Sequence, residues 1–172
     1  MERRLILLRH AKSSWKEQGQ RDQDRPLNKR GRRDAPRVAA RLVELGWSPE
    51  RVLLSDARRT RETWELMRPV FHPAPQAEER PRLYLAGLEA IKAEAGGLAP
   101  TVRTALLLGH NPGWEEAASA LSGEELAMTT ANAVLLAGQG ETWAAALEGP
   151  WRRVDHLRPK ELPGAGAGDD HD

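Results

Sequence analysis

Leu5-Ile6-Leu7-Leu8-Arg9-His10 decides how this chain folds. Four aliphatic residues in a row predict a strand buried on both faces, the habit of parallel sheets. The run stops abruptly at a cation and an imidazole. Open α/β sheets place their ligand crevices at the carboxyl ends of such strands. The pattern returns late in the chain, where Leu106-Leu107-Leu108 runs into Gly109-His110-Asn111-Pro112-Gly113. Strands that each end in a histidine can deliver both rings to one site.

Outward from these runs, short apolar segments alternate with longer amphipathic ones, the pattern of an α/β domain. Strands are predicted over Arg4 to Leu8, Arg51 to Ser55 and Thr104 to Leu108, with a short one at Arg82 to Tyr84. Helices are predicted from an Asn28 N-cap to Leu45, over Ala57 to Val70, Leu88 to Ala95, and Trp114 to Leu121. Gly31 and Pro36 predict an interruption early in the first helix. Ala133 to Ala137 is expected to pair with Thr142 to Leu147 through a turn at Gly138-Gln139-Gly140. The polar stretch from Lys12 to Pro26 reads as a loop beside the site. The fold class is α/β, three layers with a central mixed, mainly parallel sheet of about six strands. One domain is expected over residues 1–162, and a disordered Gly/Ala/Asp/His tail over 163–172.

Composition narrows the function. The 172 residues carry a net charge of only +1, so no strong field draws nucleic acid or an anionic membrane. No segment reaches the length of a membrane span. Cysteine is absent, which excludes disulfides, thiolate metal sites and a cysteine nucleophile. A cytoplasmic setting fits, and the apolar run near the N-terminus is too short for a signal peptide.

The chemistry gathers in three segments, all after predicted strands: Leu8-Arg9-His10-Ala11, Ser55 to Thr63, and Gly109-His110-Asn111-Pro112. Together they offer a pair of histidines and several arginines. That inventory suits a phosphoryl group. Arginine grips phosphate oxygens with a planar fork and stays charged at any working pH. Neutral imidazole is a competent nucleophile towards phosphorus.

These segments, with Asp24-Arg25-Pro26-Leu27-Asn28-Lys29-Arg30-Gly31, Met128 to Ala131 and Arg158-Pro159-Lys160, resemble the motifs of the histidine phosphatase superfamily. The chain most resembles its short SixA-like phosphohistidine phosphatase branch, over nearly its whole length to Leu162. The resemblance implies His10 as the nucleophile, Arg9 as its neighbouring phosphate ligand and His110 as the second histidine. The family arginine lies four residues after a Ser and four before a Thr. Only Arg59 meets both conditions, between Ser55 and Thr63. Arg58 and Arg61 are then a solvated face. Lys12, Ser13, Arg25 and Asn111 are expected as further substrate contacts. No metal or other cofactor is implied.

Larger members of the superfamily protonate an alcohol leaving group with a Glu or Asp. Here Asn111 follows His110, and Pro81 to Leu88 holds no acid. The remaining acid candidates are Asp22, Asp24, Glu78, Glu79 and Glu89. A poor alkoxide leaving group needs a general acid, whereas protonated imidazole leaves easily. The expected activity is therefore a metal-independent phosphatase acting on phosphohistidine in a signalling or phosphotransfer protein. The alternatives are a small-molecule phosphomonoesterase of the same superfamily and a phospho-ligand binder without turnover. A phosphohistidine-containing protein or a small phosphorylated molecule is the expected partner, and the protein a monomer or weak dimer.

Overall fold

A computed structural model describes residues 1–164. One six-stranded sheet organises them. Its strands are β1 (Glu2–Arg9), β2 (Arg51–Leu54), β3 (Gln76–Glu79), β4 (Thr104–Gly109), β5 (Ala133–Gln139) and β6 (Trp151–Leu157). They run in the order β3-β2-β4-β1-β5-β6. β1, β2, β3 and β4 are parallel to their neighbours in that group, while β5 and β6 pair antiparallel. β1 and β4 lie side by side at the centre, as their unbroken aliphatic runs require.

Successive side chains of a strand point to opposite faces. Leu5, Leu7 and Leu107 therefore face one cluster, with Ile91, Trp114 and Trp143. Ile6, Leu8, Leu106 and Leu108 face the other, with Val38, Leu42, Trp64 and Met67. Each such buried aliphatic side chain stabilises the fold by roughly 1.5–3 kcal/mol. The helices covering the first face are α3 (Leu88–Ala95), α4 (Gly113–Ser122) and α5 (Trp143–Glu148). Helices α1 (Lys29–Glu44) and α2 (Arg58–Met67) cover the second.

Asn28 caps α1 as expected, its side-chain oxygen accepting from the Gly31 N–H at 2.9 Å. The expected interruption does not occur, and α1 runs unbroken through Pro36. Ala35, Val38, Ala39 and Leu42 bury one face of it against the sheet, which outweighs the hydrogen bond proline removes. Gly31 has a different role. A Cβ there would stand 2.2 Å from the Lys12 carbonyl oxygen, so glycine lets the helix start against the loop that follows β1.

Two strand expectations fail. Pro81 to Leu83 form a 3₁₀ turn, and the short strand lies earlier, at β3. All four residues of β3 are exposed, so no buried alternation announced it. The segment after β5 is helix rather than the second arm of a hairpin. Thr142 caps it by accepting from the Ala145 N–H at 3.1 Å. Trp143, Ala146 and Leu147 point inward at helical spacing. On the side away from β1, β5 pairs instead with β6, with a register shift between Leu135 and Leu136. Pro163 and Gly164 form a turn, and residues 165–172 of the expected tail lie outside the described residues. No described helix is long and apolar enough to cross a membrane.

Candidate active site

The β1–β4 register pairs Arg9 with Gly109, and the His10 N–H donates to the Gly109 carbonyl at 3.0 Å. His10 and His110 thus leave adjacent parallel strands at the same level. Their ring centroids are 5.4 Å apart. His10 Nδ1 lies 2.7 Å from the Ala11 carbonyl oxygen. A carbonyl only accepts, so Nδ1 carries the proton and Nε2 keeps its lone pair. The same segment is tied to α2, where Thr63 Oγ1 accepts from the Ala11 N–H at 3.0 Å and donates to the Arg59 carbonyl at 2.7 Å. Burial pushes the His10 pKa well below 6.5; the Ala11 bond opposes this, while His110, Arg59 and Arg9 reinforce it. The ring is neutral at neutral pH.

His110 is held differently. Its Nε2 lies 2.8 Å from Ser55 Oγ, which also accepts from the Ala57 N–H at 3.2 Å. Ser55 is fully buried, and its own proton needs an acceptor. The Ser55 hydroxyl therefore donates to His110 Nε2, which leaves the proton of this ring on Nδ1. Burial lowers the His110 pKa to about 3, and the positive charge of Arg59 adds to the effect. His110 is a neutral hydrogen-bond donor.

The arginines complete the ring of donors. Arg9 Nη1 donates to the Met128 carbonyl at 3.0 Å. Arg59 stands on the first turn of α2 at 2% exposure and donates from Nη1 and Nη2 to the Asp22 carbonyl and carboxylate, at 2.7 and 3.0 Å. Among the described residues, five buried side-chain nitrogens lack any partner, and three belong here: Arg9 Nε, Arg59 Nε and His110 Nδ1. A buried polar group without a partner costs free energy, so such groups gathered at one place imply a ligand. Cationic and neutral N–H donors call for an anion.

The loop between β1 and α1 closes over this cluster. Ser13 bridges Leu27, and the Ser14 and Asn28 N–H groups donate to the Pro26 and Lys12 carbonyls. Arg25 donates to Ser13 Oγ at 2.7 Å and lies over the Trp15 ring at 3.6 Å. Asp22 is the centre of this cover. Its Oδ2 accepts from Arg59 and, at 2.5 Å, from Tyr84 Oη; its Oδ1 accepts from Arg25 Nε at 3.1 Å. Those bonds outweigh the desolvation that opposes them and hold the Asp22 carboxyl at about 2.

His10, Arg9, His110 and Arg59 thus meet at the carboxyl ends of β1 and β4 and the start of α2. Ser13 and Arg25 join them through the loop. Asn111 points elsewhere, donating to Glu115 at 3.0 Å and to the Met128 carbonyl at 2.7 Å, and so fastens the segment that holds Arg9. Lys12 is half-buried at the base of the loop. Of the acid candidates only Asp22 reaches the cluster. Asp24 pairs with Arg21, Glu78 pairs with Arg80 on β3, Glu79 lies exposed on that strand, and Glu89 is exposed in the first turn of α3. Arg58 and Arg61 are exposed. Tyr84 was missed: it meets His110 edge-on at 5.4 Å between ring centroids, yet no spacing ties this single tyrosine to either histidine. Glu115 was missed too, and only its place one helical turn after Asn111 hints at its role.

Residues 5–84 match the profile of the histidine phosphatase superfamily, branch 1. An uncharacterized chloroplastic protein of Arabidopsis thaliana is 45% identical over 170 residues, covering 91% of this chain and 78% of the relative. The SixA protein of Agrobacterium tumefaciens is 29% identical with a TM-score of 0.79, over 91% of this chain and 98% of that one. The protein histidine phosphatase SixA, solved with tungstate, shares the fold at 21% identity and a TM-score of 0.77, over 91% and 97% of the chains.

Proposed function

The chain belongs to the histidine phosphatase superfamily, and on that premise we propose that it hydrolyses phosphohistidine in a partner protein through a phosphorylated His10. The observation that carries this reading is the set of three unpartnered buried nitrogens around a histidine whose Nε2 is free. His10 Nε2 attacks phosphorus in line, and the bond to the leaving nitrogen breaks with its electron pair. Water then attacks phospho-His10, the new N–P bond breaks, and inorganic phosphate departs. Arg9 Nε, Arg59 Nε and His110 Nδ1 donate to the three equatorial oxygens, where charge is held through both steps. Neutral His10 is already the nucleophile, so no base has to remove a proton before the first step.

The leaving group supports the substrate class. An alkoxide needs a protonated acid beside it. Of the acid candidates, Asp22 at the pocket is held at about 2 by Tyr84, Arg59 and Arg25 and is ionised at neutral pH, while Glu115, on the Arg9 side, is engaged by Asn111 and the Met128 N–H. Tungstate, a phosphate-like anion, is bound by the SixA structure of the same fold, which agrees with an oxyanion pocket. We place the chain in the cytoplasm as part of this proposal, on its cysteine-free composition; the Arabidopsis relative is described as chloroplastic.

Incubation with radiolabelled phosphohistidine protein tests the reading. Wild type is expected to trap acid-labile label on His10, and His10→Ala none. Wild type that neither labels nor turns over overturns the proposal. Faster turnover of an alkyl phosphate than of phosphohistidine overturns the substrate class alone.

A further inference from the structure

We propose that the Asp22 carboxylate selects the leaving group, by accepting the N–H of a protonated phosphoimidazole ring. The inference rests on the phosphohistidine reading above and adds a residue that discriminates between substrates. His10, His110 and Arg59 are closed off beneath the loop, whereas the Asp22 side chain is 42% exposed. In-line attack from His10 puts the leaving group on the opposite side of phosphorus, toward the open mouth where Asp22 stands.

The carboxylate has room for one more donor. An ionised carboxylate offers about four lone-pair sites. Oδ2 accepts from Arg59 and Tyr84, while among the described residues Oδ1 accepts from Arg25 alone. The side chain that carries this free position is 42% exposed, and its other oxygen is bonded to the Arg59 guanidinium. Arg59 can serve both ligands, because its Nη atoms hold Asp22 and its Nε is unpartnered. The charged and titratable groups facing Asp22 are Arg59 from α2, Arg25 from its own loop, Tyr84 from the turn after β3, and His110 behind Tyr84.

The chemistry balances without an acid. In the protonated substrate one ring nitrogen is bonded to phosphorus and the other carries a proton. His10 Nε2 supplies the pair for the new N–P bond. The pair of the broken N–P bond returns to the substrate ring, which leaves as neutral imidazole with its proton still on the far nitrogen. Asp22 stabilises the cation at that N–H before the bond breaks and moves no proton. A departing alkoxide meets the same carboxylate as a like charge, so one group favours imidazole and opposes alcohols.

The test is the ratio of kcat/KM for phosphoimidazole to that for p-nitrophenyl phosphate. Asp22→Asn and Asp22→Ser are each expected to lower this ratio about tenfold, the weight of one charge-assisted hydrogen bond at a half-exposed site. Asp24→Asn, which alters an exposed pair with Arg21, is expected to leave the ratio where it is. If the Asp22 variants change both substrates by the same factor, Asp22 only positions Arg59 and the inference is overturned. Wild type that neither hydrolyses phosphoimidazole nor labels His10 overturns the underlying phosphatase reading instead.

Discussion

Removing the hydroxyl of Ser55 tests whether a side chain outside the phosphate pocket sets the chemistry inside it. Ser55 is fully buried, and Oγ serves two partners, His110 Nε2 at 2.8 Å and the Ala57 N–H at 3.2 Å. Ser55→Ala leaves both without a partner, and it leaves the His110 ring with neither nitrogen bonded. An orphaned buried group costs about 1–3 kcal/mol, so a pair costs roughly 2–5 kcal/mol after partial relaxation. For a chain of this size each kcal/mol moves Tm by about 2–4 °C, so melting should fall by roughly 4–20 °C. The catalytic effect follows from the tautomer. Without a donor at Nε2, the proton of the neutral ring is no longer confined to Nδ1, where the proposed contact to a phosphoryl oxygen needs it. Full loss of a comparable donor costs about 10²–10³ in kcat, and partial loss of its tautomer should cost about tenfold. Single-turnover phosphorylation of His10, measured well below the lowered Tm, isolates that step. NMR of the His110 ring nitrogens reports which one is protonated. A folded Ser55→Ala protein that phosphorylates His10 at the wild-type rate refutes the tautomer argument.

Other outcomes follow from the same coordinates. Burial lowers the pKa of His10 well below 6.5, of His110 to about 3 and of His156 to about 4. Their folded values lie below the unfolded one, so the unfolded chain binds more protons in acid. Stability from these groups is complete above about pH 6.5 and is lost as pH falls through about 4 for His156 and about 3 for His110, which urea midpoints measured across that window will show. The same shift keeps His10 neutral, so the acid limb of kcat should fall well below pH 6.5. Arg3, wholly buried at the other end of β1, donates to the carbonyls of Pro100, Val102, Glu141 and Gly140. Arg3→Leu takes the donor from all four, although Val102 keeps its bond from Trp143 Nε1 at 2.8 Å, and should cost about 3–5 kcal/mol, read by thermal melting, with the pocket chemistry intact in the folded fraction. Gly31→Ala drives a methyl to 2.2 Å from the Lys12 carbonyl and must push α1 off the loop. A loss of about 1–3 kcal/mol with slower turnover is expected, and an unchanged melt would show that the loop yields freely.

Much of the site is written in consecutive residues. The aliphatic runs before His10 and His110 specify buried neighbouring strands, and strand ends bring both rings to one level. The Asn28 cap is equally local, because the cap and the N–H it satisfies are three residues apart. Arg59 lies one helical turn from Thr63, whose hydroxyl fastens α2 to the segment after His10. The misreadings have local causes as well. Ala133 to Ala137 is a true strand, but Gly138-Gln139-Gly140 resembles a hairpin turn, and the following Thr142 is a helix cap. β3 escaped notice because an exposed edge strand of Gln, Ala and Glu has no apolar alternation to read.

By itself the sequence determined the central strands and the paired histidines at their ends, and its resemblance to the family singled out Arg59 on the following helix. These depend on burial and on short spacings, which leave a periodic trace along the chain. Only the tertiary structure decided that Asp22 meets Arg59, 37 positions away, and Tyr84, 62 positions away. It alone turned a possible acid into a clamped carboxylate, and it alone fixed the proton of His110 through Ser55. A polar side chain takes whichever partner packing brings within about 3 Å, and across such separations no residue pattern records that meeting.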